Sequence, residues 1–283
     1  MVLNISAKVI NIFLGISFYL NLWRFKILPL MRSRIFLCLV LVLCCSCAQP
    51  SVTHYELDVI AEYPHDTESY TQGLFFHKGQ MYETTGLRGK STLRIVDMTT
   101  GKAMRRVDFH KKYFIEGSVV LNDNLYILTW DSKVAFAYGP DSLDYKATWT
   151  YPREGWGITT DGKILYASDG SSTIYVMDEN MSLQRRIHVK SDGRPVRWLN
   201  ELEYIDGKIW ANVYTTDEIV IIDPKDGRVE GVIDCRGLLP KDRRGPETDV
   251  LNGIAYNPET EKIYLTGKNW PALYEVRIVR KNK

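Results

Sequence analysis

Leu199-Asn200-Glu201-Leu202-Glu203-Tyr204-Ile205-Asp206-Gly207-Lys208-Ile209-Trp210 alternates, turns at Asp206-Gly207-Lys208, and resumes with an aliphatic–aromatic pair. An Asp-Gly step between alternating apolar runs is a β-hairpin signal, because the tight turn needs residues that tolerate positive φ. The same grammar recurs along the chain. The pairs Met81-Tyr82, Leu125-Tyr126, Leu165-Tyr166, Ile209-Trp210 and Ile263-Tyr264 each follow a polar turn, at spacings of 44, 40, 44 and 54 residues. Further strands follow in most units: Leu93–Asp97, Ile174–Asp178 and Ile219–Asp223 as third strands, then Gln184–Val189 and Arg228–Ile233 as fourth strands.

Four strands per unit of 40–50 residues is the signature of a propeller blade. The expected fold is therefore all-β, a five-bladed β-propeller. The last unit ends after its third strand, Leu273–Val279, while Tyr55–Tyr63 precedes the first unit and alternates like a strand. The N-terminal strand is expected to complete the last blade. A six-bladed ring or an open sandwich are the alternatives.

Residues 55–283 are assigned to the propeller and 48–54 to a short linker. Upstream, Met31-Arg32-Ser33-Arg34, the apolar run Ile35–Leu43 and Cys44-Cys45-Ser46-Cys47-Ala48 follow the order of a bacterial secretory signal. Residues 31–47 are read as a signal with a lipobox, Cys47 being the lipidated residue and Cys45 its competitor; a plain cleaved signal or a short membrane anchor is the alternative. Residues 1–30 are read as an extension upstream of a start at Met31, against a membrane segment in Val9–Trp23. The expected location is the bacterial envelope, periplasmic or held to the membrane by the lipid alone. Four of the five cysteines fall in this leader, leaving Cys235 in the folded part. With 36 basic and 34 acidic residues there is no nucleic-acid footprint. A monomer is expected.

Propeller blades place their first strand beside the central axis, so one repeat position forms a ring there. Counting back from the aromatic gives Gln72, Glu116, Trp156, Asn200 and Asn252. Polar groups are costly to bury without partners, and their convergence marks a site; a satisfied network around a water-filled channel is the structural alternative. Four residues beyond the aromatic stand Gly86, Trp130, Gly170, Tyr214 and Lys268. The glycines are expected to leave space on one side of a small cup and the aromatics to wall the other. Glu201 and Glu203 flank Asn200 and read as scaffold.

Several motifs then resemble one family in order: Tyr70-Thr71-Gln72-Gly73-Leu74, Phe114-Ile115-Glu116-Gly117, Gly155-Trp156-Gly157, Leu199–Tyr204, Trp210-Ala211-Asn212-Val213, Leu251–Ala255 and Thr266-Gly267-Lys268-Asn269-Trp270-Pro271. They are similar to the plant and bacterial glutamine cyclotransferases, over about Tyr55 to Val276. The resemblance implies a five-bladed propeller that converts the N-terminal glutamine of peptides or proteins to pyroglutamate with release of ammonia. It implies no zinc chemistry, and no cofactor or metal is expected. By motif, the catalytic carboxylate is Glu116, the active-site lysine Lys268 and the asparagine Asn200. Substrate-binding positions are Gln72, Tyr70, Phe114, Trp130, Trp156, Tyr214 and Asn252. Tyr214 stands where the family has a third tryptophan and Tyr70 where it has phenylalanine.

Two other functions compete. A calcium-dependent propeller lactonase would use Glu116, Asn200 and Asn252 as oxygen ligands, which Lys268 opposes. A non-catalytic envelope binding module would not need both Glu116 and Lys268. The histidines show no ligand spacing, and no phosphate loop or nucleophile elbow is present.

Overall fold

In a computed structural model, residues 51–281 are described. The expectations for residues 1–47 lie outside the described residues, as do residues 48–50 of the linker. The strand β1 (Thr53–Pro64) starts two residues before the expected Tyr55. Three four-stranded antiparallel sheets follow. They are β2 (Thr71–His77), β3 (Gln80–Thr85), β4 (Thr92–Asp97) and β5 (Lys102–Asp108); β6 (Ile115–Leu121), β7 (Asn124–Thr129), β8 (Val134–Tyr138) and β9 (Tyr145–Thr150); and β10 (Ile158–Thr160), β11 (Leu165–Ala167), β12 (Thr173–Met177) and β13 (Leu183–His188). A small hairpin, β14 (Lys190–Ser191) with β15 (Arg194–Pro195), has no counterpart in the other units. Two more repeats complete the set: β16 (Leu199–Ile205), β17 (Lys208–Val213), β18 (Glu218–Ile222) and β19 (Val229–Asp234), then β20 (Leu251–Asn257), β21 (Lys262–Gly267) and β22 (Ala272–Arg280).

The N-terminal strand fills the vacancy in the last repeat. β1 runs antiparallel to β22, from Tyr55 opposite Arg280 to Pro64 opposite Ala272. It does more than was expected of it: Thr53–Tyr55 also pair in parallel with Gly231–Ile233 of β19, so the last two repeats join in one eight-stranded run.

Burial falls from the first strand of each sheet to the fourth. The opening five residues of β2 are buried, whereas β5 is almost wholly exposed. The cause is that the first strands pack on one another in a cycle, β2 on β6, β6 on β10, β10 on β16, β16 on β20 and β20 on β2. Glycine permits the approach. A Cβ on Gly117 would lie 2.6 Å from the Trp156 carbonyl oxygen, and one on Gly157 would lie 2.1 Å from that of Asn200.

Each neighbouring pair of repeats shares one hydrophobic cluster. Phe75, Tyr82 and Ile95 pack on Ile115, Ile127 and Phe136, and Leu74, Met81 and Val96 pack on Ala255, Tyr264 and Leu273 across the junction of last and first repeats. Three more clusters lie between the remaining neighbours. Each fully buried Leu, Ile or Phe side chain contributes about 1.5–3 kcal/mol. Cohesion is therefore spread around the ring, and Cys235 is buried and unpaired among the described residues.

Candidate active site

The first strands share a defect at the same place. The ladder of β2 with β3 skips between Thr71 and Gly73, β6 with β7 between Ile115 and Ser118, β16 with β17 between Leu199 and Leu202, and β20 with β21 between Leu251 and Ile254. The skipped steps contain Gln72, Glu116, Asn200 and Asn252. A bulge bends the strand and re-aims its side chain, and such bulges concentrate beside active sites. In the third repeat Trp156 takes the corresponding place just before β10.

Gln72, Glu116, Trp156 and Asn200 line one cavity of about 320 Å³, together with Tyr70, Phe114, Trp130, Trp198, Tyr214 and Lys268. Its wall is a closed circuit of contacts. Tyr70 meets Phe114 edge-on at 6.3 Å, and Phe114 meets Trp130 at 5.5 Å. The Glu154 carboxylate then accepts from two indoles, Trp130 Nε1 at 2.9 Å and Trp156 Nε1 at 3.1 Å. Trp156 meets Tyr214 edge-on at 5.6 Å. The Lys268 ammonium closes the circuit, 5.1 Å from the Tyr214 ring and 4.8 Å from the Tyr70 ring. An ammonium near two ring faces is attracted by both quadrupoles.

The charges in the cup are unbalanced by burial. Glu116 is 5% exposed. Burial pushes its pKa well above the ordinary carboxylate range, the charge of Lys268 offsets this only in part, and Glu154 adds to it. No donor is bonded to its carboxyl among the described residues, and no ion pair joins it to Lys268; their charges interact across the cavity. Burial lowers the pKa of Lys268, with Glu116 and Asp249 pulling it back. Asn200 Oδ1 is buried without a partner among the described residues, so one end of that amide is free for a ligand.

A buried network fixes the strand and loop that carry these groups. His65 contacts the Trp270 carbonyl oxygen through Nδ1 at 2.7 Å and Glu83 Oε1 through Nε2 at 3.0 Å. The Trp270 carbonyl and an ionised Glu83 both accept, an arrangement that favours donation from both ring nitrogens and so the protonated imidazole. Burial alone would lower the His65 pKa, but the charge and hydrogen bond of Glu83 and the carbonyl bond outweigh it. Thr71 Oγ1 donates to the same carboxylate at 2.7 Å, and Tyr70 Oη donates to Asp249 Oδ2 at 2.7 Å.

Two expectations are corrected. Asn252 does not line the cup: it is 0% exposed, and its Nδ2 donates to the Thr71 carbonyl oxygen at 2.9 Å and to Gln72 Oε1 at 3.3 Å. It therefore holds Gln72 from behind. Of the oxygen set, Glu116 and Asn200 line the cavity and Asn252 does not, and no group of three or more His, Cys, Asp or Glu that could hold a metal ion is present among the described residues. Gly86 and Gly170 do not open the cup either. Their missing side chains make room for its wall: a Cβ on Gly86 would lie 2.4 Å from the Phe114 ring, and one on Gly170 2.7 Å from the Trp156 ring.

Trp198 and Glu154 were not singled out by the sequence reading. Both stand two residues before a ring position, as Tyr70 and Phe114 do. Strand period two puts such residues on one face, so the signal was available.

An all-β, propeller-like scaffold with a desolvated carboxyl facing an aromatic cup defines an enzyme that acts on a small, partly apolar group. The profile of the glutamine cyclotransferase family matches residues 35–278, and the chain belongs to that family. It is 42% identical over 230 residues to a glutaminyl-peptide cyclotransferase of Arabidopsis thaliana, covering 79% of this chain and 71% of that protein. The crystal structure of Myxococcus xanthus glutaminyl cyclase superposes with a TM-score of 0.77 at 34% identity, covering 82% of this chain and all of the other. A Xanthomonas campestris gluconolactonase shares the fold alone, with a TM-score of 0.50 at 15% identity over 75% of this chain and 73% of that one.

Proposed function

We propose that the five repeats are the blades of one propeller and that the cup binds the N-terminal glutamine of a peptide or protein, with Glu116 carrying the proton that cyclisation must move. The single observation that supports this most is Glu116 itself. It is buried, unbonded among the described residues and raised in pKa, and it faces the same cavity as a buried ammonium.

The substrate's α-amine attacks its own γ-amide carbon, a five-membered lactam forms, and ammonia leaves. Nucleophile and electrophile belong to one residue, so the wall's main task is to hold a reactive rotamer. Orientation of this kind contributes roughly several kcal/mol. An α-amine titrates near about 7.7–8.0, so a useful fraction is neutral at pH 7. The amine proton passes to Glu116 and then to the departing amide nitrogen, which leaves as ammonia. A carboxyl held above its ordinary range suits both transfers. Lys268 stabilises the oxyanion that develops on the amide oxygen, and Asn200 offers its free amide end to the same residue. Gln72, fixed by Asn252, anchors the substrate's polar groups.

Mass spectrometry of a glutamine-leading peptide tests the reading: the product should be lighter by one ammonia, and Glu116→Gln should leave the peptide unchanged. A peptide of unaltered mass after incubation with the wild-type protein would overturn it. Residues 31–47 support a second element of the proposal, export with lipid attachment at Cys47. Palmitate labelling should disappear in Cys47→Ala; labelling that persists there and vanishes in Cys45→Ala moves the anchor.

A further inference from the structure

Trp198 is a half-exposed residue in an uncomfortable place. Its φ is +64°, in the left-handed region that a bulky side chain avoids. Two backbone bonds hold it there, Trp198 N to the Gly170 carbonyl oxygen and Tyr214 N to the Trp198 carbonyl oxygen, both 2.8 Å. The residue is 54% exposed, and its indole lies 6.2 Å from that of Trp156, tilted by 36°. Its Nε1 has no bond among the described residues, whereas Glu154 fixes the Trp130 and Trp156 indoles. Strain that persists at a cavity rim points to function rather than to packing.

The depth of the cup determines what reaches Trp198. The reacting amine and amide must lie between Glu116 and Lys268, which are almost fully buried. The peptide continues outward from the glutamine carbonyl, so its second residue meets the mouth. The solvent-facing indoles of the lining are Trp198 and, at 38% exposure, Trp130.

We infer that Trp198 forms a subsite for the side chain of the peptide's second residue, selecting aromatic and large apolar side chains. This rests on the reading of the cup given above. Stacking against a pre-positioned indole adds affinity beyond simple burial. The effect belongs in KM, because the second residue does not take part in bond making.

The test compares KM for Gln-Gly, Gln-Leu and Gln-Phe amides in the wild type, Trp198→Phe and Trp198→Asn. Asparagine accepts the left-handed backbone and removes the ring. The wild type should prefer Gln-Phe to Gln-Gly by about two- to tenfold in KM. In Trp198→Asn the ratio should fall toward one while the melting temperature holds or rises; Trp198→Phe should restore much of the ratio. A wild type without preference, or a Trp198→Asn variant that melts lower and loses affinity for all three peptides alike, overturns the inference. A wild-type enzyme that cyclises none of the three overturns the reading of the cup, and this inference with it.

Discussion

Glu116 and Glu203 are the same residue type on first strands two repeats apart, β6 and β16, both nearly sealed from water, and both pushed up in pKa by burial. Their surroundings differ in one respect. Glu203 accepts from Tyr256 N at 2.9 Å and from Thr159 Oγ1 at 3.4 Å, tying its strand to those on either side. Glu201 likewise accepts from Ile254 N at 2.9 Å. Glu116 has no such donor among the described residues and opens on a cavity. Burial alone therefore does not mark a catalytic acid in this molecule. What separates the proton carrier from the mortar is the absence of a protein partner, which leaves its lone pairs for substrate.

Four substitutions press on that contrast. The largest effect is expected from Glu116→Gln, which should lower kcat about 10²–10⁴-fold without lowering the melting temperature, since the amide carries no charge to desolvate. Ammonia release and a thermal melt measure the two halves. Lys268→Ala should cost about 10²–10³-fold in kcat through the lost oxyanion contact. It also removes the charge that holds the Glu116 pKa down, so the acid limb of the kcat/KM profile moves to higher pH.

Glu154→Ala frees two indoles and should raise KM about three- to tenfold. Because Glu154 raises the Glu116 pKa, its loss moves the same limb to lower pH, opposite to Lys268→Ala. The α-amine of the substrate titrates identically in all variants, so the two opposite shifts report on Glu116. Displacements in one direction would break the assignment.

Glu203→Gln should leave turnover intact and change only stability. Burial raises the Glu203 pKa to about 8 from an ordinary 4.5. Between those values the folded protein holds a proton that the unfolded chain has released, so stability falls as pH rises. The wild-type melting temperature should decline across this window more steeply than that of Glu203→Gln. Equal slopes would show that another group sets the decline.

The repeats were legible because a hairpin is a local event: turn, aliphatic residue and aromatic lie within a few positions, and the pattern recurs. The vacancy after Leu273–Val279 and the unassigned strand near Tyr55 pointed to each other for the same reason. The parallel pairing of Thr53–Tyr55 with Gly231–Ile233 was not legible, since alternation reports which face is buried and not which neighbour bonds. Most of the cup could be read by aligning two repeat positions. Asn252 was misplaced because a bulge position gives the strand register but not where an amide turns once Gln72 and Thr71 offer it acceptors. Gly86 and Gly170 showed that side chains were missing without showing that Phe114 and Trp156 fill the room. Glu154 was passed over because its neighbour Trp156 occupied the aligned position.

The bond between Tyr55 and Arg280 joins nearly opposite ends of the described chain. Folding must reach this clasp late, since closing so long a loop carries an entropic cost before any reward returns. Until β1 and β22 meet, the sheet whose β21 leads into Lys268 lacks its outer strand, so late closure is expected to delay the Lys268 side of the cup, even though Glu116 sits in the second repeat. A circular permutant that splices the two termini, with new ends in an exposed turn such as Gly162, would turn that remote closure into a nearby one.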